Sequence, residues 1–133
     1  MARLLILDDN TELLETFKEL LELHGYDIVT CPSGLQGLLL LGYEKPDLLI
    51  LDLQLKDSEG FQIFRILRAD PRSADLPVLF VSGVFLEKEV KIKDLAPEGG
   101  GPTAFLSKPV AEEVLIAEVE RLLALSRRMN SAA

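Results

Sequence analysis

Acidic side chains follow two apolar segments of the sequence, at the points where each segment ends. Asp52 comes directly after Leu48–Leu51, and Asp8 and Asp9 come directly after Leu4–Leu7. Short continuous apolar runs are typical of strands that are buried on both faces of a parallel sheet. The carboxyl ends of such strands form the edge at which open α/β sheets bind ligands. We therefore expect the three carboxylates to lie close together.

A bound cation would offset the repulsion among these three carboxylates. Like charges on one rim repel each other, and the repulsion is costly unless a cation lies among them. The sequence places no Cys or His beside Asp8, Asp9 or Asp52. Hard oxygen ligands without sulfur or imidazole favour Mg2+ over zinc, so we predict a Mg2+ site at these acids.

Two further predicted strands also end in polar residues. Ser82 follows Val78–Val81, and Lys108 follows Ala104–Leu106 after one intervening serine. A carboxylate is a competent nucleophile that forms an acyl phosphate, and phosphoryl transfer needs positioning and charge neutralisation above all. The set therefore suits phosphoryl chemistry on Asp52, with Ser82 and Lys108 holding phosphoryl oxygens.

The order of the predicted elements defines the fold that positions these residues. Strands alternate with amphipathic helices, which predicts an α/β fold with a doubly wound, five-stranded parallel sheet. The order 2-1-3-4-5 suits five strands, in a flavodoxin-like arrangement of three α/β/α layers, with its switch point between strands one and three. The predicted strands are Leu4–Leu7, Tyr26–Thr30, Leu48–Leu51, Val78–Val81 and Ala104–Leu106. The predicted helices run from Asn10 to Gly25, from Ser33 to Gly42, from about Glu59 to before Pro71, from Glu87 to Leu95 and from Val110 to about Arg127.

Length and composition fit one intracellular domain. The chain has 133 residues and a net charge of −8, which argues against direct nucleic-acid binding by this domain. The single cysteine, Cys31, excludes an intramolecular disulfide and fits a cytoplasmic location. No apolar run approaches the roughly 20 residues of a membrane span, so we expect no membrane insertion.

The ordered set of strand-end residues resembles the receiver domain of two-component response regulators, over about residues 3–125. Asp8 and Asp9 match the family's acidic pair, and Asp52 matches its phosphoacceptor. The other matches are Gly60, which follows Asp52 by eight positions, Ser82 at the Thr/Ser position that moves toward the phosphoryl group, Lys108-Pro109 at a Lys-Pro pair whose peptide bond is typically cis, and Phe105 at the aromatic switch position.

The resemblance implies a phosphoacceptor domain rather than a metabolic enzyme. A sensor histidine kinase or a histidine phosphotransfer protein would supply the phosphoryl group to Asp52. The domain would catalyse only its own phosphotransfer and slow autodephosphorylation. Mg2+ would bind weakly through Asp9 and Asp52, with the backbone carbonyl of Gln54 as a further ligand and Asp8 partly through water. Activation would draw Ser82 inward, and the ring of Phe105 would fill the vacated space.

Three features depart from the family pattern. Lys56 stands four positions after Asp52, where the family usually has proline. Ser82 and Lys108 are 26 positions apart, a few more than is common. Phe105 lacks the hydroxyl of the commoner tyrosine, so a switch at this position would be steric.

The resemblance also suggests a homodimer and a domain boundary. The dimer face would combine the predicted helix Glu87–Leu95, the fifth strand and the last helix, and once phosphorylated this face would either dimerise or dock on a partner. Its contact residues would be Lys91, Lys93, Asp94, Glu118 and Arg121. Residues 1–126 would form the receiver domain, and residues 127–133 would be a flexible tail or the start of a linker.

Three other functions compete with this interpretation. A haloacid-dehalogenase-type phosphatase with an aspartyl intermediate requires an acid two residues after the nucleophile, where this chain has Gln54. A flavodoxin-like FMN protein requires a Ser/Thr/Gly-rich phosphate loop after the first strand, and Asp8 and Asp9 would repel a phosphate there in the absence of a metal. A receiver-like scaffold that is never phosphorylated is the third alternative, and the complete set of site residues argues against it.

Overall fold

A computed structural model describes the chain over residues 2–55, 60–83 and 100–131. Within these ranges, strands and helices alternate along the chain. The strands are β1 (Arg3–Leu7), β2 (Asp27–Cys31), β3 (Leu48–Leu51), β4 (Val78–Ser82) and β5 (Thr103–Ser107), and the helices are α1 (Thr11–Leu23), α2 (Gly34–Glu44), α3 (Gly60–Ala69) and α4 (Glu112–Ser131). The predicted helix Glu87–Leu95, with Lys91, Lys93 and Asp94, lies outside the described residues, as does Lys56.

All five strands form one parallel sheet in the order β2-β1-β3-β4-β5. Leu4 aligns with Ile28 on one side and with Leu48 on the other, so β1 is central. β5 aligns along its whole length with β4, from Val78–Thr103 to Ser82–Ser107. The predicted fold class and strand order are confirmed.

Alternate residues of the strands enter two separate cores, one on each face of the sheet. Leu4 and Ile6 of β1 pack in one core with residues of α1 and α4, whereas Leu5 and Leu7 pack in the other with residues of α2 and α3. This alternation follows from the period of two along a strand. Because both faces are covered, the central strands are apolar apart from Arg3 at the start of β1 and Ser82 at the end of β4, and these apolar runs identified them in the sequence.

Side chains cap the first two helices at the residues where the sequence predicts these helices to start. Asn10 accepts a hydrogen bond from the backbone N–H of Leu13, and Ser33 accepts one from the backbone N–H of Gln36. Gly25 follows α1 with a φ of +89°, a conformation that glycine adopts without steric cost. The cap at Asn10 fixes the start of α1 directly after Asp8 and Asp9.

Several predicted element ends differ from the observed ones. β2 begins at Asp27 because the N–H of Tyr26 donates to Leu21 at the end of α1, at 3.2 Å, and is not available to the sheet. α2 does not end at Gly42 but continues to Glu44, and Lys45 ends it in a left-handed conformation with φ 47°. α4 begins at Glu112 and extends beyond Arg127 to Ser131. The last helix therefore includes residues 127–131 of the predicted tail.

A buried arginine on α3 joins the loops that precede β4 and β5. The guanidinium of Arg68 donates to the carbonyls of Ala74 at 3.0 Å and Gly101 at 3.2 Å, and to Thr103 Oγ1 at 3.1 Å. Further acceptors are the carbonyls of Ser73, Leu76 and Pro102. Burial lowers the pKa of Arg68 to about 10, so the side chain remains protonated at neutral pH. None of the described helices is both long enough and apolar enough to cross a membrane.

Candidate functional site

The carboxyl edge of the sheet brings the predicted site residues together. Asp8 follows β1, Asp52 follows β3, Ser82 ends β4 and Lys108 follows β5. Asp8, Asp52 and Ser82 are buried, with exposed fractions of 3%, 6% and 1%. Polar groups at this depth in a protein need partners.

Lys108 bridges the two buried carboxylates. Its Nζ lies 2.8 Å from Oδ2 of Asp8 and 2.9 Å from Oδ2 of Asp52. The lysine side chain is 25% exposed, so the ammonium reaches into the site from its solvent side. One cation thus compensates two acids that lie on neighbouring strands.

Backbone amides hold the second oxygen of each carboxylate. Asp8 Oδ1 accepts from the N–H of Asn10 at 2.9 Å, and Asp52 Oδ1 accepts from the N–H of Gln54 at 3.1 Å. Each carboxylate is therefore fixed at both oxygens. Such orientation is what a nucleophile or a metal ligand requires from its surroundings.

Asp9 completes an acidic cluster that could hold a metal ion. One carboxylate oxygen from each of Asp8, Asp9 and Asp52 can be chosen so that all three lie within 4.8 Å of one another. Asp9 is half-buried, whereas the other two acids are buried. The three carboxylates are oxygen donors of the kind that Mg2+ prefers.

Burial and charge act against each other on the pKa values of this site. Burial raises the pKa of Asp8, the hydrogen bonds from Lys108 and Asn10 oppose that rise, and the charge of Asp52 adds to it. Burial lowers the pKa of Lys108, but hydrogen bonds and charge interactions with Asp8 and Asp52 outweigh it, so that the pKa of Lys108 is raised. The lysine therefore remains charged at neutral pH.

The main chain links Ser82 to Lys108. The N–H of Lys108 donates to the carbonyl of Ser82 at 2.9 Å, which extends the pairing of β4 with β5 by one residue. The Lys108–Pro109 peptide bond is cis, as the resemblance implied. Phe105 is half-buried on β5 beside Phe80 and packs against the same core as α2 and α3.

Gly60 packs against the backbone of the site loop. Its N–H donates to the carbonyl of Leu53 at 2.8 Å. A Cβ at this position would overlap the carbonyl oxygen of Asp52 and would lie 2.7 Å from the Cα of Leu53. A residue without a side chain is therefore needed where α3 begins, which gives the glycine eight positions after Asp52 a steric role.

The fold and this site define the class of the protein. The family model for the response regulator receiver domain matches residues 4–120. The chain therefore belongs to the response regulator receiver domain family and is a receiver domain of two-component signalling. This membership favours the receiver interpretation over the phosphatase and flavin-binding alternatives.

Named relatives and solved structures agree with this assignment. The chain is 32% identical to protein PilH from Pseudomonas aeruginosa, over 93% of the chain and 99% of PilH. It is 35% identical to the DNA-binding transcriptional regulator RpaA from Synechocystis over its full length, but it spans only 54% of RpaA. A CheY-like receiver domain protein from Methanospirillum hungatei superposes with a TM-score of 0.84 at 25% identity, over 97% of this chain and 98% of that one.

Two residues of the predicted dimer face lie in the described part of the chain. Glu118 and Arg121 lie on α4, where Arg121 Nη2 is 2.8 Å from Glu118 Oε2. Both residues are thus engaged with each other within one helix.

Arg68 is the buried polar residue that the sequence did not indicate, because an arginine in an amphipathic helix is usually exposed.

Proposed function

We propose that Asp52 accepts a phosphoryl group from the phosphohistidine of a sensor histidine kinase or a histidine phosphotransfer protein. The observation that carries this proposal is the contact of Lys108 with both Asp8 and Asp52 at the carboxyl edge of the sheet. A buried carboxylate that is oriented by a lysine and a backbone amide is prepared to act on an incoming ligand.

The transfer itself is an in-line displacement at phosphorus. An oxygen of Asp52 forms a bond to phosphorus, the bond from phosphorus to the donor imidazole nitrogen breaks, and that nitrogen keeps the electron pair. Lys108, which now contacts Asp52 Oδ2 at 2.9 Å, would then pair with a phosphoryl oxygen in a charge-assisted hydrogen bond. The chain would catalyse this transfer and slow autodephosphorylation, without a metabolic substrate.

The donor set fits Mg2+. Asp9, Asp52 and the backbone carbonyl of Gln54 would hold the ion, with Asp8 partly through water, because the acidic cluster offers oxygen ligands alone. When bound, the ion neutralises charge on the acids and on the phosphoryl oxygens. Lys108 already compensates part of the acidic charge, which supports weak binding rather than tight binding.

Ser82 and Phe105 form the proposed switch. Ser82 ends the strand beside β3, and Phe105 lies on the next strand. A dianion on Asp52 offers acceptors to the hydroxyl of Ser82. Movement of Ser82 toward it would free space beside β4 for the ring of Phe105, which is a two-state packing change.

The domain boundary and the location stay predictions. Residues 1–126 would form the receiver domain in the cytoplasm, and residues 127–133, of which 127–131 continue α4, would be a tail or the start of a linker. A homodimer would form through β5, α4 and the predicted helix before β5. We expect no direct DNA contact by this domain, since its net charge is −8.

Labelling with a small phosphodonor tests this function. Incubation with acetyl phosphate and Mg2+ should add one phosphoryl group, as seen by intact-mass spectrometry, and the product should be acid-stable and alkali-labile. Chelation of Mg2+ with EDTA should abolish the addition.

Asp9→Ala should lose Mg2+-dependent amide shifts in NMR titrations, whereas Glu15→Ala, at an exposed acid on α1, should keep them. If Asp9→Ala binds Mg2+ as well as wild type does, the metal assignment fails.

A further inference from the structure

The outer surfaces of α2 and α3 expose large apolar side chains. Leu39 and Tyr43 on α2 have exposed fractions of 74% and 88%, and Ile66 on α3 is 55% exposed. Leu39 and Tyr43 are four positions apart, so they lie on the same face of the helix. Single exposed apolar residues are common, but an apolar stripe beside a groove indicates an interaction site.

A groove lies between these two helices. Its volume is about 690 Å³, and it is lined by Leu38, Leu41, Gly42, Lys45, Pro46, Ile66, Leu67, Asp70, Arg72, Ser73 and Leu76. The α2 residues of this lining recur at helical spacing, directly beside the stripe of Leu39 and Tyr43. The groove and the stripe thus form a surface that is longer than the groove alone.

The rim of the groove carries positive charge in an acidic chain. Lys45 and Arg72 line it beside a single acid, Asp70, so the charged residues of the lining sum to +1. Asp70 is the acid of the lining, and Arg72 Nη2 holds its carboxylate at 2.8 Å. The exposed face of α1 is acidic by contrast, with Glu12, Glu15, Glu19 and Glu22. Charge complementarity therefore selects an acidic occupant for this rim.

We infer that the α2–α3 groove docks an amphipathic helix of a partner protein, with its apolar stripe against Leu39, Tyr43 and Ile66 and its acidic side chains at the basic rim. This is the helix-in-groove mode of recognition. A second copy of the chain fits less well, because a two-fold interface would place the same basic rim on both sides.

This surface lies away from the phosphoacceptor site. Lys45, Pro46 and Leu76 precede β3 and β4, so they lie toward the amino-terminal edge of the sheet, whereas Asp52 lies at the carboxyl edge. Docking in the groove therefore does not require phosphorylation. Asp52→Asn should leave binding in the groove unchanged, which separates this inference from the proposed function.

A pair of designed peptides tests the inference on the full chain. The acidic peptide is a helix with leucines on one face and glutamates on both flanks, and the basic peptide has lysines in place of the glutamates. Binding is followed by the anisotropy of a fluorescent label on the peptide and by amide NMR shifts. The acidic peptide should bind more tightly, lose affinity with added salt, and shift residues of α2 and α3.

Variants assign the binding to named residues. The double variant Leu39→Ala with Tyr43→Ala should lower the affinity for the acidic peptide about tenfold, which corresponds to about 1.4 kcal/mol. Leu23→Ala, at an 84% exposed leucine on α1, is the matched control and should change nothing. Lys45→Glu should weaken binding of the acidic peptide and strengthen binding of the basic one.

Three results would overturn the inference. The first is equal affinity of the double variant and wild type, and the second is a set of shifts that maps to α1 or α4. The third is a concentration-dependent dimer in analytical ultracentrifugation that Leu39→Ala removes, because it would assign the groove to a second copy of the chain.

Discussion

Lys108 Nζ lies 2.9 Å from Oδ2 of Asp52, although the two residues are 56 positions apart in the chain. The same ammonium contacts Asp8 at 2.8 Å. The contact therefore depends on the parallel sheet, which aligns the ends of β1, β3 and β5 at one edge. It also makes Lys108 the charge that compensates two buried acids.

Removal of that charge should cost stability in the absence of metal. Lys108→Ala should fold, but its free energy of unfolding in EDTA should fall by roughly 1–3 kcal/mol, because two buried carboxylates lose their shared cation. Urea unfolding measures the change. Mg2+ should reduce the difference in free energy of unfolding between Lys108→Ala and wild type. Lys18→Ala, at an exposed lysine on α1, should have the same free energy of unfolding as wild type. Equal stability of Lys108→Ala and wild type in EDTA would contradict the bridging role.

The activation response should depend on Lys108 more than labelling does. A beryllofluoride-treated wild-type sample should show amide shifts at Ser82 and Phe105 as well as around Asp52, because Ser82 ends the strand beside β3 and Phe105 lies on the next strand. The Lys108 ammonium, which contacts Asp52 at 2.9 Å, would pair with the bound group. Lys108→Ala should lose the shifts at Ser82 and Phe105. Changes that remain confined to the loops around Asp52 in the wild type would refute the switch.

Gly60 offers a steric test of the site loop. Gly60→Ala should lower the free energy of unfolding by about 1–3 kcal/mol, because its Cβ would meet the backbone of Asp52 and Leu53. The rate of phosphorylation of Asp52 should also fall, since the backbone of Asp52 and Leu53 must move to accommodate the Cβ. Gly42→Ala is the control: its Cβ meets nothing within 4 Å, so it should be neutral or stabilise α2 by up to about 1 kcal/mol. A Gly60→Ala protein as stable as wild type would contradict the steric role of Gly60.

Arg68 should stabilise the fold without entering the chemistry. Arg68→Met leaves several loop carbonyls without their donor and should lower the free energy of unfolding by at least about 2 kcal/mol. Arg65→Met, three residues earlier on the exposed side of α3, should stay within about 0.5 kcal/mol of wild type. Thermal or urea unfolding of the two variants decides between a structural and a negligible role for the buried guanidinium.

The sequence predicted the strands and the site edge because both depend on local signals, and the strand order followed from the few topologies open to five alternating strands. Apolar runs such as Leu48–Leu51 identify the buried strands, and the polar residue after each run locates the carboxyl edge. The pairing within the site could not be predicted in the same way. Whether Lys108 bonds to Asp8 or to Asp9 depends on the twist of the sheet and on the cap at Asn10.

Element ends were less predictable because tertiary contacts compete with local preference. Gly42 was expected to end α2, yet the helix continues through it, since a glycine inside a helix costs only about 1 kcal/mol. Lys45 takes the left-handed position instead. Arg68 gave no local signal at all, because its acceptors lie in loops and at the start of β5, up to 35 positions further along the chain.

Chemical trapping of the phosphorylated residue decides whether Asp52 is the phosphoacceptor. After treatment with acetyl phosphate and Mg2+, borohydride reduces an aspartyl phosphate to homoserine, and peptide mass spectrometry then locates the reduced residue. We predict homoserine at position 52 alone, and none in Asp52→Asn or in a sample without phosphodonor. Reduction at Asp8, Asp9 or Asp47, or labelling that persists in Asp52→Asn, would contradict the assignment of Asp52 as the phosphoacceptor.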